Sequence, residues 1–121
     1  MNELKHYEDQ ALRLSEKELK PTIEDYLDTM QMMGKLMYLR LNSGNFFLPC
    51  GNGKFRMVKG CPKGCSDYEV LIQGRHIFVE LKGYGGKQSD EQKAFEEAVV
   101  RQGGTYAVVH SLDELLEILG L

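Results

Sequence analysis

No stretch of this chain approaches the ~18 consecutive apolar residues that a membrane-crossing helix needs. Its opening residues, MNELKHYEDQ, are polar and charged, unlike a secretory signal. The expectation is a soluble, intracellular protein, cytoplasmic and without a membrane partner. Cysteine is scarce too: Cys50, Cys61 and Cys65 are odd in number, and without a secretory signal free thiols are expected instead of a disulfide framework. Structural zinc fits them poorly, because three thiolates lack a fourth ligand and no histidine lies nearby in sequence. Acidic residues are missing altogether from residues 29–66, an interval that holds Lys35, Arg40, Lys54, Arg56, Lys59 and Lys63. The first 28 residues, by contrast, carry eight acidic and four basic side chains. The net charge of −3 therefore hides a segregated basic segment of the kind a phosphate backbone attracts.

With 121 residues and 42% apolar content, one domain with a modest core is expected over 1–121, residues 1–14 forming an N-terminal extension. Its organising stretch is DYEVLIQGRHIFVELK, from Asp67 to Lys82. Two β-rich runs flank Gln73 and Gly74, and a glycine can take positive φ at little cost, so the stretch predicts a hairpin turning there. That turn pairs Ile72 with Arg75, Val70 with Ile77 and Tyr68 with Val79, and brings Asp67 opposite Glu80. Facing residues have Cβ atoms roughly 4.5–5.5 Å apart, where two carboxylates repel unless a cation lies between them. A divalent ion is the natural occupant. Lys82 points to the same side as Glu80, while Tyr68, Val70, Ile72, Ile77, Val79 and Leu81 form an apolar face on the other.

Upstream, a weakly spaced helix over residues 1–14 precedes Ser15 and Glu18, which form a capping box. Leu19, Ile23, Tyr26, Leu27, Met30 and Met33 mark one face of the helix that follows, with Gly34 as its cap. Pro21 conflicts with a straight helix started well upstream, so a break or kink falls near residues 17–20. The spacing puts Glu16 on the inward face, where a carboxylate is costly unless it binds something. Residues 36–41 are a mostly apolar and therefore central strand. Residues 45–66 form a long glycine-punctuated loop with a short strand near 55–58. After the hairpin, Ser89 and Gln92 cap a helix running to about Gln102, with Gln92 beside Phe95 on its packed side, reaching either a site or a backbone group. Residues 105–109 make a strand parallel to 76–82. Ser111 and Glu114 start a last helix whose Leu112, Leu115, Leu116 and Leu119 cover the sheet or a partner subunit. His76 is a surface histidine. The whole is an α/β sandwich with a mixed sheet.

An aspartate, a hairpin and then Glu80-Leu81-Lys82 resemble the signature of the PD-(D/E)XK nuclease superfamily. The wider set, RLNSG at 40–44, GCSD at 64–67, FVELK at 78–82, Ser89, Gln92 and Gly103-Gly104, resembles its VRR-NUC branch, the virus-type replication-repair nucleases. The resemblance covers about residues 15–115. It implies a restriction-endonuclease-like αβββαβ core flanked by helices and a metal-dependent DNA endonuclease, structure-specific toward branched DNA such as a Holliday junction, in DNA repair. It implies that Asp67, Glu80 and the Leu81 backbone carbonyl ligate the metal, and that a first-helix glutamate, Glu16 or else Glu18, joins them. Lys82 then orients the attacking water or holds the phosphate, and Gln92 completes the catalytic set. Oxygen-only ligation favours Mg²⁺ or Mn²⁺. Arg40, Lys54, Arg56, Lys59, Lys63 and Lys87 are the expected DNA contacts, and a homodimer is implied by similarity to Holliday-junction resolvases. The rival expectation is a non-catalytic DNA-binding module on the same fold, with structural zinc at the cysteines.

Overall fold

Serine caps set where the helices of this protein begin. The computed structural model describes residues 14–121, so the helix expected before Leu14 lies outside the described residues. Ser15 and Glu18 form a full capping box that starts α1 (Glu16–Met32). At its other end Gly34, at φ 72°, donates to the Gln31 carbonyl, and Lys35 donates to that of Met30, the paired bonds of a Schellman stop. The helix runs through Pro21 as one element. Only its first turn precedes the proline, and the carbonyl left without a donor, that of Lys17, belongs to an exposed residue that water can reach.

The remaining elements are β1 (Met37–Arg40), β2 (Asn45–Pro49), β3 (Phe55–Lys59), β4 (Tyr68–Ile72), β5 (Arg75–Leu81), α2 (Asp90–Arg101), β6 (Thr105–Val109) and α3 (Leu112–Leu119). The main sheet has the order β1-β4-β5-β6, antiparallel except that β6 runs parallel to β5. The hairpin of β4 and β5 has the expected register, Tyr68 to Val79 and Ile72 to Arg75, around Gln73 and Gly74 at φ 50° and 78°. Positive φ at both residues is what a two-residue type I′ turn requires. The result is a mixed α/β fold with three described helices.

Two expectations are corrected. The strand near residues 36–41 is not central: β1 pairs only with β4 and lies at the sheet edge, with Met37 and Leu39 exposed and only Leu36 and Tyr38 buried. Apolar content misled because β1 packs one face alone, against α1, and leaves the other in water. The segment after it is also not a loop with one short strand, since β2 and β3 pair as a separate two-stranded sheet.

Both faces of β5 are covered. On one, Leu19, Ile23 and Leu27 of α1 and Leu115 and Leu119 of α3 pack on Tyr68, Val70, Ile77, Val79, Leu81, Ala107 and Val109, all buried. The stripe on α3 thus belongs to the core. Deleting a buried leucine here to alanine would cost roughly 2–5 kcal/mol. On the other face Phe95 of α2 packs edge-on against Phe78 (5.6 Å) and Tyr106 (6.2 Å). The face that carries Glu80 is thus covered by α2. Polar bonds also tie α1 to the sheet: the Tyr68 hydroxyl donates to Glu24 at 2.8 Å, the Gln31 side chain accepts from the Tyr38 N–H at 2.9 Å, and the Tyr38 hydroxyl donates to Asp28.

Candidate metal centre

Three carboxylates meet where β4 begins and β5 ends. Glu16, Asp67 and Glu80 each bring one oxygen within 4.8 Å of the other two. The two arms of the β4–β5 hairpin deliver Asp67 and Glu80, and α1 delivers Glu16. Asp67 precedes β4, and Ser66 before it is buried, with its hydroxyl donating to the Tyr68 carbonyl at 3.1 Å. The Asp67 carboxylate accepts the Leu81 N–H at 2.7 Å, and its backbone carbonyl accepts from Leu41 at 2.9 Å, so both neighbouring strands hold it. A strand residue sends its N–H and C=O to the same edge, so the Leu81 carbonyl leaves β5 on the side of Asp67.

Glu80 is 3% exposed. One oxygen accepts from the Gln92 side chain at 3.0 Å; Oε2 is buried and accepts no hydrogen bond. Gln92 does two jobs, since its carbonyl oxygen also accepts from the Ser89 N–H at 2.8 Å in the capping box of α2. Burial, then the nearby Asp67 charge and a hydrogen bond with Asp67, pushes the Glu80 carboxyl up to about 8, with the Lys82 ammonium pulling partly the other way. Lys82 is half-buried, two residues on along the strand.

Glu16 is exposed, which corrects the inward placement expected from helical spacing. It lies in the first turn of α1, and it reaches the cluster because the chain after β5 is fastened to that turn. The Tyr84 N–H donates to the Leu14 carbonyl at 3.0 Å, and a Cβ on Gly83 would come within 2.6 Å of the Glu16 nitrogen. Glu18, the alternative, is engaged elsewhere: its carboxylate accepts from the Ser15 hydroxyl at 2.9 Å.

These residues fit a hard divalent cation. At the usual Mg²⁺ bond length two ligands on opposite sides lie about 4.2 Å apart and adjacent ones about 3 Å, so oxygens within 4.8 Å of one another would close in on an ion bound among them. Glu80 Oε2 is buried and accepts no hydrogen bond, and without an ion the carboxyl pKa is raised beside Asp67, a strain that a cation between the two carboxylates would relieve. The donors are all oxygen, which suits Mg²⁺ or Mn²⁺. Zinc on the cysteines is not supported. Among the described residues the three thiols form no ligand group with one another, and Cys50 is exposed while Cys61 and Cys65 are half-buried. Burial, then a hydrogen bond with Cys61, pushes the Cys65 thiol up to about 12.

The expected DNA contacts divide. Arg40 pairs with Glu24 at 3.3 Å and Lys63 with Glu91 at 3.3 Å, so both charges are already engaged. Lys54, Arg56 and Lys59 lie on or beside β3 without a carboxylate partner among the described residues, and Lys87 is exposed after β5. His76 is exposed, as expected, and its ring meets Glu69 at 2.9 Å. The sequence marks Gly64 only as part of GCSD; its packing against α2, where a Cβ would come within 2.4 Å of the Glu91 carbonyl oxygen, docks the 60–66 segment there. Sequence reasoning missed Gln88, which donates to Tyr106 and Glu96 beside the site. The run of glycines in that segment was the one available signal. No model of a known protein family matches the chain, and no curated protein matches it.

Proposed function

We propose that this chain is a divalent-metal-dependent DNA endonuclease of the PD-(D/E)XK superfamily, in its VRR-NUC branch, acting on branched DNA. The observation that carries the reading is the buried Glu80 carboxylate gathered with those of Asp67 and Glu16, with Lys82 two residues on. The element order supports it. With the β2–β3 hairpin set aside, the chain runs α1, three antiparallel strands, α2 and a parallel strand, the αβββαβ order of that superfamily.

In this reading Asp67, Glu80, the Leu81 carbonyl and Glu16 hold Mg²⁺ or Mn²⁺. When bound, the ion neutralises phosphate charge and lowers the pKa of water. Water adds to phosphorus as one P–O bond to a sugar breaks, leaving a phosphomonoester on one end and a hydroxyl on the other. Gln92 fixes the Glu80 carboxylate through its 3.0 Å bond, so the oxygen facing Asp67 is set before substrate arrives. Lys82 places a positive charge beside the carboxylates, where it orients the attacking water or holds the scissile phosphate. Gly83 keeps Glu16 against that end of β5. The similarity to Holliday-junction resolvases adds a homodimer with paired sites to the proposal.

The test is a gel assay of branched against linear DNA in Mg²⁺ and in EDTA. Cleavage of the branched substrate should require the ion, and Asp67→Asn should abolish it while keeping the fold and weakening Mn²⁺ binding. Full cleavage by that variant would refute the assignment. Tight binding by the wild type without cleavage in Mg²⁺ would leave a non-catalytic DNA-binding module.

A further inference from the structure

The hairpin of β2 and β3 is built unlike the rest of the protein. Its register sets Phe47 opposite Met57 and Pro49 opposite Phe55, and these four side chains share one face. The other face is used at the root, where the Phe46 ring lies over Gly60; a Cβ there would come within 2.6 Å of the ring and 2.4 Å of the Asn42 carbonyl oxygen. Among the described residues nothing covers the first face. Phe47 is 67% exposed, Phe55 65% and Met57 52%, and among the described residues no helix or main-sheet strand packs on the hairpin. A two-stranded ribbon alone is at best marginally stable, and a contiguous apolar face on one marks a surface that a partner covers.

Charge says which partner. Residues 45–59 contain no carboxylate; Lys59, opposite Asn45, shares the face of Phe47 and Met57, Lys54 lies in the turn beside Phe55, and Arg56 is on the other face, so the occupant is anionic as well as apolar. A nucleic-acid strand joins both properties, phosphates for the cations and flat bases for the aromatics. Position agrees. The root is fastened at the carboxylate end of the sheet: Cys61 donates to the Asn42 carbonyl at 2.8 Å, Gly44 to that of Cys61 at 3.2 Å, and Leu41 to that of Asp67 itself at 2.9 Å.

We propose that Phe47 and Phe55 stack on unpaired bases of the DNA whose phosphates reach Glu16, Asp67 and Glu80, so that the substrate is DNA with bases open beside a duplex. An unbroken duplex offers phosphates to Lys54, Arg56 and Lys59 but hides the base faces the aromatics need. The inference rests on the nuclease reading for the fate of the strand and adds what selects it.

The experiment measures binding in EDTA, where nothing is cut. One probe is a forked oligonucleotide with 2-aminopurine at its first unpaired position; the other is a fully paired duplex of equal length. Wild-type protein should change the 2-aminopurine emission of the fork. Phe47→Ala combined with Phe55→Ala should weaken fork binding roughly tenfold or more, the scale of lost base stacking, with duplex affinity and salt dependence kept. Phe47→Tyr with Phe55→Tyr should retain both properties, which separates stacking from a collapsed hairpin. Unchanged emission with the wild type would overturn the proposal, as would equal weakening on both DNAs. So would a dimer that the alanine pair converts to monomer, since the face would then belong to a second copy, or binding to anionic lipid vesicles that fork DNA does not compete away. A protein that passes yet cuts nothing in Mg²⁺ would sink the nuclease reading alone, and one that cuts but fails here would sink only this inference.

Discussion

Replacing Glu80 by glutamine tests the carboxylate cluster without any DNA. In the metal-free protein the Glu80 carboxyl titrates at about 8 instead of its ordinary 4.5, because it is buried against Asp67. Between those two pH values the folded protein holds a proton that the unfolded chain releases. The stability from a neutral Glu80 is thus fully present below about pH 4.5 and is lost as pH rises through about 8. Each unit is worth about 1.4 kcal/mol, so the loss is on the order of 5 kcal/mol at most, and roughly 2–4 kcal/mol once relaxation and water entry are allowed for. A glutamine at this position does not titrate. Its carbonyl can still accept from Gln92, and its amide can donate toward Asp67. In EDTA, urea unfolding followed by circular dichroism should show wild-type stability falling from pH 5 to pH 8 while Glu80→Gln stays nearly flat and becomes the more stable form at pH 8. Added Mg²⁺ should raise the wild type as mass action requires and leave the variant almost unmoved. Parallel pH profiles for the two proteins would refute the claim that this carboxylate is buried and uncompensated.

Three further outcomes follow from the same geometry. Lys82→Ala should lower single-turnover cleavage on the order of 10²-fold or more, the cost of one positioned electrostatic group, with little change in DNA affinity; the opposite split would make it a phosphate clamp. Gly83→Ala should reduce Mg²⁺ affinity, read as a smaller ion-induced rise in melting temperature, because its Cβ would displace the Glu16 backbone from 2.6 Å; an unchanged rise would remove Glu16 from the site. Lys54→Ala, Arg56→Ala and Lys59→Ala should each flatten the slope of log K against log [salt] by about one unit on duplex DNA. Lys63→Ala should do less, since Glu91 already holds that charge.

Much of the site was legible because strand periodicity is a local rule. A two-residue turn at Gln73 and Gly74 leaves one register, and that register alone brings Asp67 opposite Glu80. The serine caps at Ser15, Ser89 and Ser111 were equally local, each a side chain satisfying an amide three residues on. Gln92 was found beside the site on its helical spacing with Phe95 together with the family resemblance.

What needed the tertiary structure was every property set by a neighbour distant in sequence. The segment at 36–41 has the apolar content of a central strand, yet β1 sits at the edge because β5 and β6 occupy the far side of β4, and no count of apolar residues along one strand reveals how many neighbours it has. Helical spacing turned Glu16 inward, but a first turn lies beyond the sheet it belongs to, and the Gly83 contact, not periodicity, brings that carboxylate to the cluster. The sequence leaves Arg40 and Lys63 without a visible carboxylate nearby, but Glu24 and Glu91 from other elements lie against them. The sequence by itself determined that Asp67 and Glu80 would face each other, since the pleat requires it. Only the tertiary structure decided that α2 would close over Glu80 and bury its carboxylate beside Asp67, because burial depends on what the rest of the chain packs against a residue.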